Sequence, residues 1–511
     1  MNTNYINKEN LEKASNQLWE ILVPHLNHLC SEDFKVVELA FITMVDAHGE
    51  QRRKSGEFYI IHPTMACIIL CNMGLDKDTL AACLLHDVPE DTKTTLKDLA
   101  KNFSSEIVFL VEGVTKLSKV RYYGSEEYIE NLQRMLMAMS KDLRVILIKL
   151  ADRLHNLQTL DHVAPEKQRR IALESVEIYA PIAERLGINF MRNEIEDASF
   201  PFLYPEEYQK YILESDLEIK ARTEELTNVE IKTKEILKQE GVTNYKIKAR
   251  AKKYYSIYKK VQDKHHDIGD IYDLMALRII TPEIEDCYSV LSILHRHFTP
   301  MDSRLKDYIK MPKQNGYQSI HTTVRDPATG FVFEFQIRTE EMNTFAEYGI
   351  AAHWAYKNKG KEDFLNMANF DWLENALKLG TEGWTEEEYM RYMKLDLFKD
   401  RIFVMTPQND PIDLPEGATP LDFAFKIHDQ IGAKAMMAKI NGKTASLDTQ
   451  LKNGDIVTIV TQKNQKPTRD WLQMVKTVNA ARHIRQILRK QGEKLPTKQF
   501  KETRKGTMKL V

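Results

Sequence analysis

Ala81-Ala-Cys-Leu-Leu-His86-Asp87-Val-Pro-Glu90-Asp91 is the stretch that decides how the first part of the chain folds. An apolar run ends abruptly in a histidine and three acids, with a proline among them. Proline lacks the N–H that a helix interior needs, and it steers the residue before it away from helical geometry. A buried helix is therefore expected to stop or kink near Asp87–Val88, leaving His86 and Asp87 at its end. One imidazole and several carboxylates at a helix end are ligand types that a divalent cation such as manganese accepts. The same residues read equally as a helix C-terminus running into an acidic turn, so the choice depends on what the rest of the chain brings.

Upstream, Phe34 to Ala47 has apolar residues at helical spacing and runs into His48-Gly-Glu-Gln-Arg-Arg53-Lys54-Ser-Gly56-Glu57, a basic loop. Tyr59-Ile-Ile-His62-Pro63 follows, with His62 expected at a turn into a helix from Thr64 to Met73. Downstream, a helix is expected from Asp142 to Leu160. Its Val145-Ile-Leu-Ile-Lys-Leu150-Ala-Asp152-Arg-Leu-His-Asn156-Leu-Gln-Thr159 is apolar on nearly every face, so the helix should be buried. Asp152, Asn156 and Thr159 fall on one stripe at i, i+4 and i+7. A carboxylate on a buried helix must be paired, protonated or bound to a cation. An Asp–Arg pair inside a bundle would satisfy that demand as well as a metal.

His62, His86, Asp87 and Asp152 together form a set of two histidines and two aspartates on three helices or helix ends. This ordered set resembles the HD phosphohydrolase superfamily. With Arg53-Lys54-Ser-Gly, Glu90-Asp91 and Leu-Ala-Asp152-Arg-Leu-His-Asn156 it resembles the hydrolase half of the RelA/SpoT homologues. The resemblance implies manganese on those four ligands, activating water for attack on the 3′-diphosphate of (p)ppGpp. It gives Glu90 and Asp91 proton transfer and water positioning, and it sets Arg53, Lys54, Asn156 and Thr159 around the guanine nucleoside. Pro89 stands where the family more often has an aliphatic residue.

At 511 residues, several domains are expected rather than one core. Lys+Arg is 72 against 74 Asp+Glu, so any phosphate binding has to come from local clusters. The five cysteines (Cys30, Cys67, Cys71, Cys83 and Cys287) lack paired zinc spacing and read as reduced core thiols. No apolar run approaches membrane-spanning length and the N-terminus has no apolar leader, so a cytoplasmic protein without membrane partners is expected.

Ala180-Pro-Ile-Ala-Glu-Arg-Leu-Gly187 reads as a helix closed by glycine. A long charged helix, roughly Pro205 to Glu240, then serves as a connector. From Lys246 the texture becomes mixed α/β. Lys246-Ile-Lys-Ala-Arg250-Ala alternates as a strand does. Ile271-Tyr-Asp273-Leu-Met-Ala-Leu-Arg-Ile-Ile280 is a buried-strand candidate. Phe331-Val-Phe-Glu334-Phe-Gln336-Ile-Arg338-Thr alternates with period two, aromatics on one face and Glu334, Gln336 and Arg338 on the other. A half-exposed sheet with those polar groups in water fits the same pattern.

Between these strands lies Arg304-Leu-Lys306-Asp307-Tyr308-Ile-Lys-Met-Pro-Lys313-Gln-Asn315-Gly316-Tyr317-Gln-Ser-Ile-His321. Cations that neutralise phosphate, an Asn-Gly turn and aromatic rings suit a polyphosphate and a purine. This text resembles the (p)ppGpp synthetase domain, a nucleotidyltransferase-like fold. The resemblance implies Asp273 as a Mg²⁺ ligand, and Glu334 as the carboxylate that helps bind the metal and deprotonates a 3′-OH. It implies Arg250 stacked on adenine, with Lys252, Arg304, Lys306 and Lys313 among the phosphate-facing cations. Tyr317 would stack on guanine, with Asn315 and His321 lining the acceptor pocket. The implied reaction moves the β,γ-pyrophosphate of ATP to GDP or GTP. Ala249 stands where the family commonly has glycine.

Ala346 to Lys357 reads as an amphipathic helix in which His353 and Trp354 pack, and Phe364 to Leu397 as a helical linker. Thr419-Pro420 has the form of an N-cap with proline at the first helical position, opening a helix from Leu421 to His428. Asn441-Gly442 signals a hairpin. Leu-Pro415-Glu-Gly-Ala-Thr-Pro-Leu-Asp422-Phe-Ala resembles the TGS domain, a β-grasp module. That likeness implies contact with uncharged tRNA on the ribosome, with His428 as the implicated histidine; a small interaction domain is the plainer reading. The zinc-finger and ACT modules typical of long family members are not found, which reads as a naturally short or truncated chain.

The expected organisation is therefore an all-α HD-type domain (1–200), a helical connector (201–245), an α/β nucleotidyltransferase-like synthetase (246–360), a helical linker (361–400), a TGS domain (401–463) and the start of a helical region with a basic tail (464–511). The function implied is a bifunctional (p)ppGpp synthetase/hydrolase. The alternatives are a hydrolase with a regulatory synthetase-like half, and a non-enzymatic tRNA- or ribosome-sensing module.

Overall fold

Helical periodicity governs the chain up to residue 240 and strand periodicity enters only afterwards, and the computed structural model follows that division. It describes residues 6, 10–118, 134–264, 268–271, 273–313, 315–352, 401–493, 500–502 and 508–510. The expected linker helix, with His353 and Trp354 before it, lies outside them. Two compact units form: residues 1–118 with 144–368, and residues 119–143 with 369–511.

The first unit begins with helices α1 (Leu11–Leu22), α2 (Ser31–His48), α3 (Ile61–Cys71), α4 (Lys77–Leu85), α5 (Val88–Asp91), α6 (Leu96–Leu99), α7 (Ser105–Ser118) and α8 (Leu143–Gln158). The Asp76 side chain caps α4 by accepting from Thr79 N at 2.8 Å, and every residue from Thr79 to Leu85 is buried. The helix stops at Leu85 and a one-turn helix restarts at Val88. Pro89 lies in the first turn of α5, where a missing N–H leaves no helical bond unmade. The break expected at Asp87–Val88 therefore occurs, and Pro89 fits it without distortion. One expectation is corrected: α3 starts at Ile61, not Thr64, so His62 is already helical. Pro63 permits this because first-turn N–H groups have no partner within the helix.

Helices α9 (Pro165–Glu174), α10 (Ala180–Arg185), α11 (Asn189–Leu203) and α12 (Pro205–Gln239) follow. They lead to β1 (Lys246–Ala251), α13 (Tyr254–Lys264), β2 (Met275–Thr281), α14 (Ile284–His297), β3 (Thr299–Asp307), β4 (Ile320–Arg325), β5 (Val332–Thr339) and α15 (Glu340–Tyr348). The sheet order is β1-β2-β5-β4-β3, with β2 and β5 parallel and the other pairs antiparallel. Paired residues share a face. One row across the sheet is Leu277–Phe335–Thr322, and Ile279–Ile337–Ile320 lies beside it. This face is covered by Leu226, Val229 and Ile236 of α12 and by Val290 and Leu294 of α14. The opposite face carries Arg250–Ala276–Glu334–Thr323 and Lys248–Arg278–Gln336–His321–Lys306. The half-exposed reading of β5 is overturned: Gln336 and Arg338 are 5% and 1% exposed.

The helical part and the sheet part meet at two glycines. Gly187, closing α10 at φ +74°, and Gly349, closing α15 at φ +52°, sit backbone to backbone. Ile350 N donates to Leu186 O at 3.0 Å, Asn189 Nδ2 to Ala346 O at 2.8 Å, and Asn315 Nδ2 to Glu184 O at 3.2 Å. The joint thus touches the loop that carries Asn315 and Tyr317.

In the second unit, β6 (Arg401–Met405) pairs with β7 (Pro411–Pro415). Helices α16 (Pro420–Ile427) and α17 (Asp429–Ala433) precede a sheet of β8 (Ala435–Ile440), β9 (Lys443–Ala445) and β10 (Val457–Thr461) in the order β10-β8-β9. Asn441 and Gly442 turn the β8–β9 hairpin, both at positive φ, as a type I′ turn requires. Helices α18 (Trp471–Met474) and α19 (Val478–Lys490) follow, and then β11 (Phe500–Glu502) pairs antiparallel with β12 (Met508–Leu510).

Thr419 caps α16 in a capping box with Asp422. The same buried carboxylate accepts from Lys476 N at 3.0 Å and from Thr477 N and Oγ1, each at 2.8 Å. It ties the start of α19 to α16. Asp422→Ala would leave several buried donors unmet, so a loss of about 3 kcal/mol is expected. Thermal unfolding followed by the fluorescence of buried Trp471 would report it; an unchanged transition would contradict the role.

Two candidate catalytic centres

The first centre forms where α3, the α4–α5 break and α8 converge. His62 Nε2 lies 3.2 Å from Asp152 Oδ1 and 3.6 Å from Asp87 Oδ2. His86 Nε2 lies 3.2 Å from Asp87 Oδ1 and 4.0 Å from Asp152 Oδ1. His62, His86 and Asp87 each offer one ligand atom, and these atoms lie within 4.8 Å of one another. His86 Nε2 is buried and makes no hydrogen bond, while its Nδ1 donates to Cys83 O at 2.5 Å. A buried ring nitrogen aimed at two carboxylates, with its proton held on the other side, fits a divalent cation. The four sequence-expected ligands are thus brought together.

Lys149, one turn before Asp152 on α8, donates to Asp152 Oδ2 at 2.7 Å. Burial alone would lift the Asp152 pKa, but the Lys149 ammonium holds it well below the usual carboxylate range. Burial likewise keeps the His62 ring below its ordinary value, and so neutral. Tyr59 OH lies between the acids, donating to Asp91 Oδ2 at 2.5 Å and standing 3.1 Å from Asp87 Oδ2. Burial, Asp87 and Asp91 raise the Tyr59 pKa strongly, so it remains a donor.

Three of the residues expected around the nucleoside are joined to Asp152 by a chain of hydrogen bonds. Arg53 Nη2 donates to Asn156 Oδ1 at 2.5 Å and Nη1 to Thr159 Oγ1 at 3.2 Å. Asn156 Nδ2 in turn donates to Asp152 Oδ1 at 2.5 Å. Lys54 is exposed at the loop tip.

The second centre lies on the polar face of the five-stranded sheet. His321 Nδ1 is 3.3 Å from Glu334 Oε1, and Tyr317 OH is 2.7 Å from His321 Nε2. Gln336 Nε2 donates to Glu334 Oε1 at 2.8 Å. Burial would raise the Glu334 pKa, but His321 and Gln336 hold it below its ordinary value. The Glu334 carboxylate is thus oriented by a histidine and an amide, as a group that could accept a proton is. Lys313 sits over the rings of Tyr308 and Tyr317 at 5.1 and 5.5 Å.

Asp273, just before β2, receives Lys252 Nζ at 2.6 Å and Lys260 Nζ at 2.5 Å. Burial is outweighed there, and the two ammonium groups hold its carboxyl well below the usual range. Burial lowers the Lys252 pKa to about 8. Among the described residues Asp273 and Glu334 belong to no group of three or more possible metal ligands, but the two carboxylates are near enough for the charge of Asp273 to act on Glu334. Arg250, Arg304 and Lys306 are exposed on the sheet and its edge strands.

Sequence reasoning missed Lys149, Tyr59, Lys260, Gln336 and Arg338. The signal for Lys149 was present: a lysine one helical turn from an acid on an otherwise apolar helix. Arg338 is 1% exposed, and its Nε and Nη2 have no hydrogen-bond partner among the described residues. In the second unit, His428 is exposed and its Nδ1 accepts from Gln430 N at 3.1 Å, capping α17.

Residues 40–189 match the HD domain model, residues 249–361 the region found in RelA / SpoT proteins, and residues 402–461 the TGS domain. The chain is 45% identical over 455 residues to a probable guanosine-3′,5′-bis(diphosphate) 3′-pyrophosphohydrolase of Synechocystis sp., covering 88% of this chain and 59% of that one. It is 41% identical over 463 residues to a GTP pyrophosphokinase of Myxococcus xanthus, covering 90% and 61%. It is 40% identical over 481 residues to the bifunctional (p)ppGpp synthase/hydrolase SpoT of Escherichia coli, covering 94% and 67%. The chain therefore spans 59% to 67% of the length of these relatives. Among the described residues no helix is long and apolar enough to cross a membrane.

Proposed function

This chain belongs to the RelA/SpoT family, and from that membership and the two centres we propose that it both makes and degrades (p)ppGpp, as a cytoplasmic enzyme of the stringent response. The observation that carries the reading is that two separately built carboxylate centres occur on one chain, one cation-ready at His62, His86, Asp87 and Asp152, the other at Glu334 beside His321, which in turn meets Tyr317.

In the hydrolase centre, His62, His86, Asp87 and Asp152 would hold manganese, which polarises the 3′-diphosphate and makes water acidic enough to attack at neutral pH. Glu90 and Asp91 are the acids that would position the attacking water and exchange its proton, with Tyr59 holding Asp91 by a hydrogen bond. Arg53, Lys54, Asn156 and Thr159 seat the guanine nucleoside. The products are GDP or GTP and pyrophosphate.

In the synthetase centre, Tyr317 stacks on the acceptor guanine, Asn315 and His321 line its pocket, and Glu334 takes the proton from the 3′-OH. Arg250 stacks on adenine, while Lys252, Arg304, Lys306 and Lys313 neutralise phosphate oxygens. Asp273 and Glu334 would hold magnesium, which neutralises charge on the triphosphate. Lys252 and Lys260 occupy Asp273 in the structure, and they are the groups that turn to phosphate when ATP enters. The TGS unit is read as the contact to uncharged tRNA on the ribosome, with the exposed ring edge of His428 available.

The test is a pair of nucleotide assays on metal-stripped protein: ppGpp with Mn²⁺, and ATP plus GDP with Mg²⁺. Turnover in both is expected. Turnover in one only would leave the other half regulatory, and turnover in neither would contradict the enzymatic reading.

A further inference from the structure

His155 follows Asp152 by three positions on α8, so helical spacing turns it toward the same flank. It is 4% exposed. Its Nδ1 lies 2.8 Å from His62 Nδ1 and 3.5 Å from Arg53 Nη1. Two imidazole nitrogens at that distance share one proton, and either could supply it. A cation held on His62 Nε2 would break the tie by leaving the His62 proton on Nδ1, and Arg53 works in the same direction. A guanidinium has no acceptor, so its approach favours an unprotonated His155 Nδ1. His155 then carries its proton on Nε2, and His62 donates from Nδ1. The His62 lone pair is left on Nε2, the nitrogen facing Asp152 and Asp87 at 3.2 and 3.6 Å. His86 reaches the same state through the Cys83 carbonyl. His62 reaches it through another side chain, and that side chain also touches Arg53.

We propose that His155 is a positioning residue of the hydrolase centre, fixing the His62 tautomer and linking cation binding to the nucleotide-facing Arg53. The inference rests on the metal centre proposed above. Arg53 and His62 are two donors to one acceptor. When a nucleotide draws Arg53 away, His155 Nδ1 accepts from His62 alone, and His62 becomes the better ligand. Nucleotide should therefore tighten cation binding, and cation should tighten nucleotide by the same factor.

The experiment uses the metal-stripped full chain in wild-type, His155→Phe and His155→Asn forms. Phenylalanine keeps the ring volume without an acceptor; the asparagine oxygen stands near the position of Nδ1. Mn²⁺ affinity is read by electron paramagnetic resonance of the free ion, with and without GDP. The His62 tautomer is read by ¹⁵N-histidine NMR. His155→Phe should weaken Mn²⁺ by about 10- to 100-fold, abolish the tightening by GDP, and bring Nε2–H signal to His62. His155→Asn should restore most of the affinity and the Nδ1–H tautomer. A folded His155→Phe protein that binds Mn²⁺ as wild type does, or keeps the wild-type tautomer and GDP effect, would overturn the proposal and leave the metal centre standing. Wild type that binds no Mn²⁺ would overturn both.

Discussion

In Gly349→Ala the melting temperature of the first unit should fall by about 6 °C, and the KM for the acceptor nucleotide should rise. A Cβ at Gly349 would stand 2.2 Å from Leu186 O and 2.3 Å from Gly187 C. Those are backbone atoms, so no side chain can swing aside. The φ of +52° adds the cost of a left-handed L-residue, about 1–2 kcal/mol, to an overpacking cost of about 1–3 kcal/mol. About 4 kcal/mol in a unit of this size corresponds to that shift in melting temperature. The joint must open, and Asn315, held by Glu184 O across it, moves with it. The hydrolase ligands lie on α3, α4–α5 and α8, away from these contacts, so hydrolysis should suffer less. Gly330→Ala is the control: its φ is +76°, but nothing lies within 4 Å of the added carbon. Equal melting shifts in the two variants would contradict the joint.

Lys149→Met should destabilise the metal-free protein by about 3–5 kcal/mol, because it leaves the buried Asp152 carboxylate without its nearest cation. Saturating Mn²⁺ should recover part of that loss, since a cation at His62, His86 and Asp87 would replace the missing positive charge. The Mn²⁺-induced rise in melting temperature should thus be larger in the variant than in wild type. Differential scanning calorimetry with and without Mn²⁺ measures both. An unchanged metal-free transition, or an equal Mn²⁺ shift in both proteins, would contradict the pairing. The linkage is to acid: Asp152 has a folded pKa held below its unfolded value. Its stabilisation is present above the unfolded pKa and is lost as pH falls toward the folded one.

Local chemistry was legible in the sequence wherever one residue type forces a backbone outcome. Pro89 ended the helix before it, Thr419-Pro420 opened α16, Asn441-Gly442 turned a hairpin, and the period-two run at Phe331 divided β5 into two faces. The helix α3 starts earlier than the His62-Pro63 pair suggests, because first-turn N–H groups need no partner and a proline there breaks nothing. Partnerships between distant segments were not legible. Arg53 meets Asn156 across 103 positions, and no spacing rule pairs them. The burial of Gln336 and Arg338 depends on what covers the sheet, and the clash waiting at Gly349 depends on where Leu186 comes to rest.

The central claim is that two centres work independently on one chain. The direct measurement is (p)ppGpp synthesis and hydrolysis by wild type, Asp87→Ala and Glu334→Ala under identical conditions, with folding checked by melting temperature. Asp87→Ala should reduce hydrolysis to background and keep synthesis. Glu334→Ala should cost synthesis about a hundredfold or more, as loss of a general base does, and keep hydrolysis. If either folded variant loses both reactions, or loses neither, the account of two separate centres is wrong.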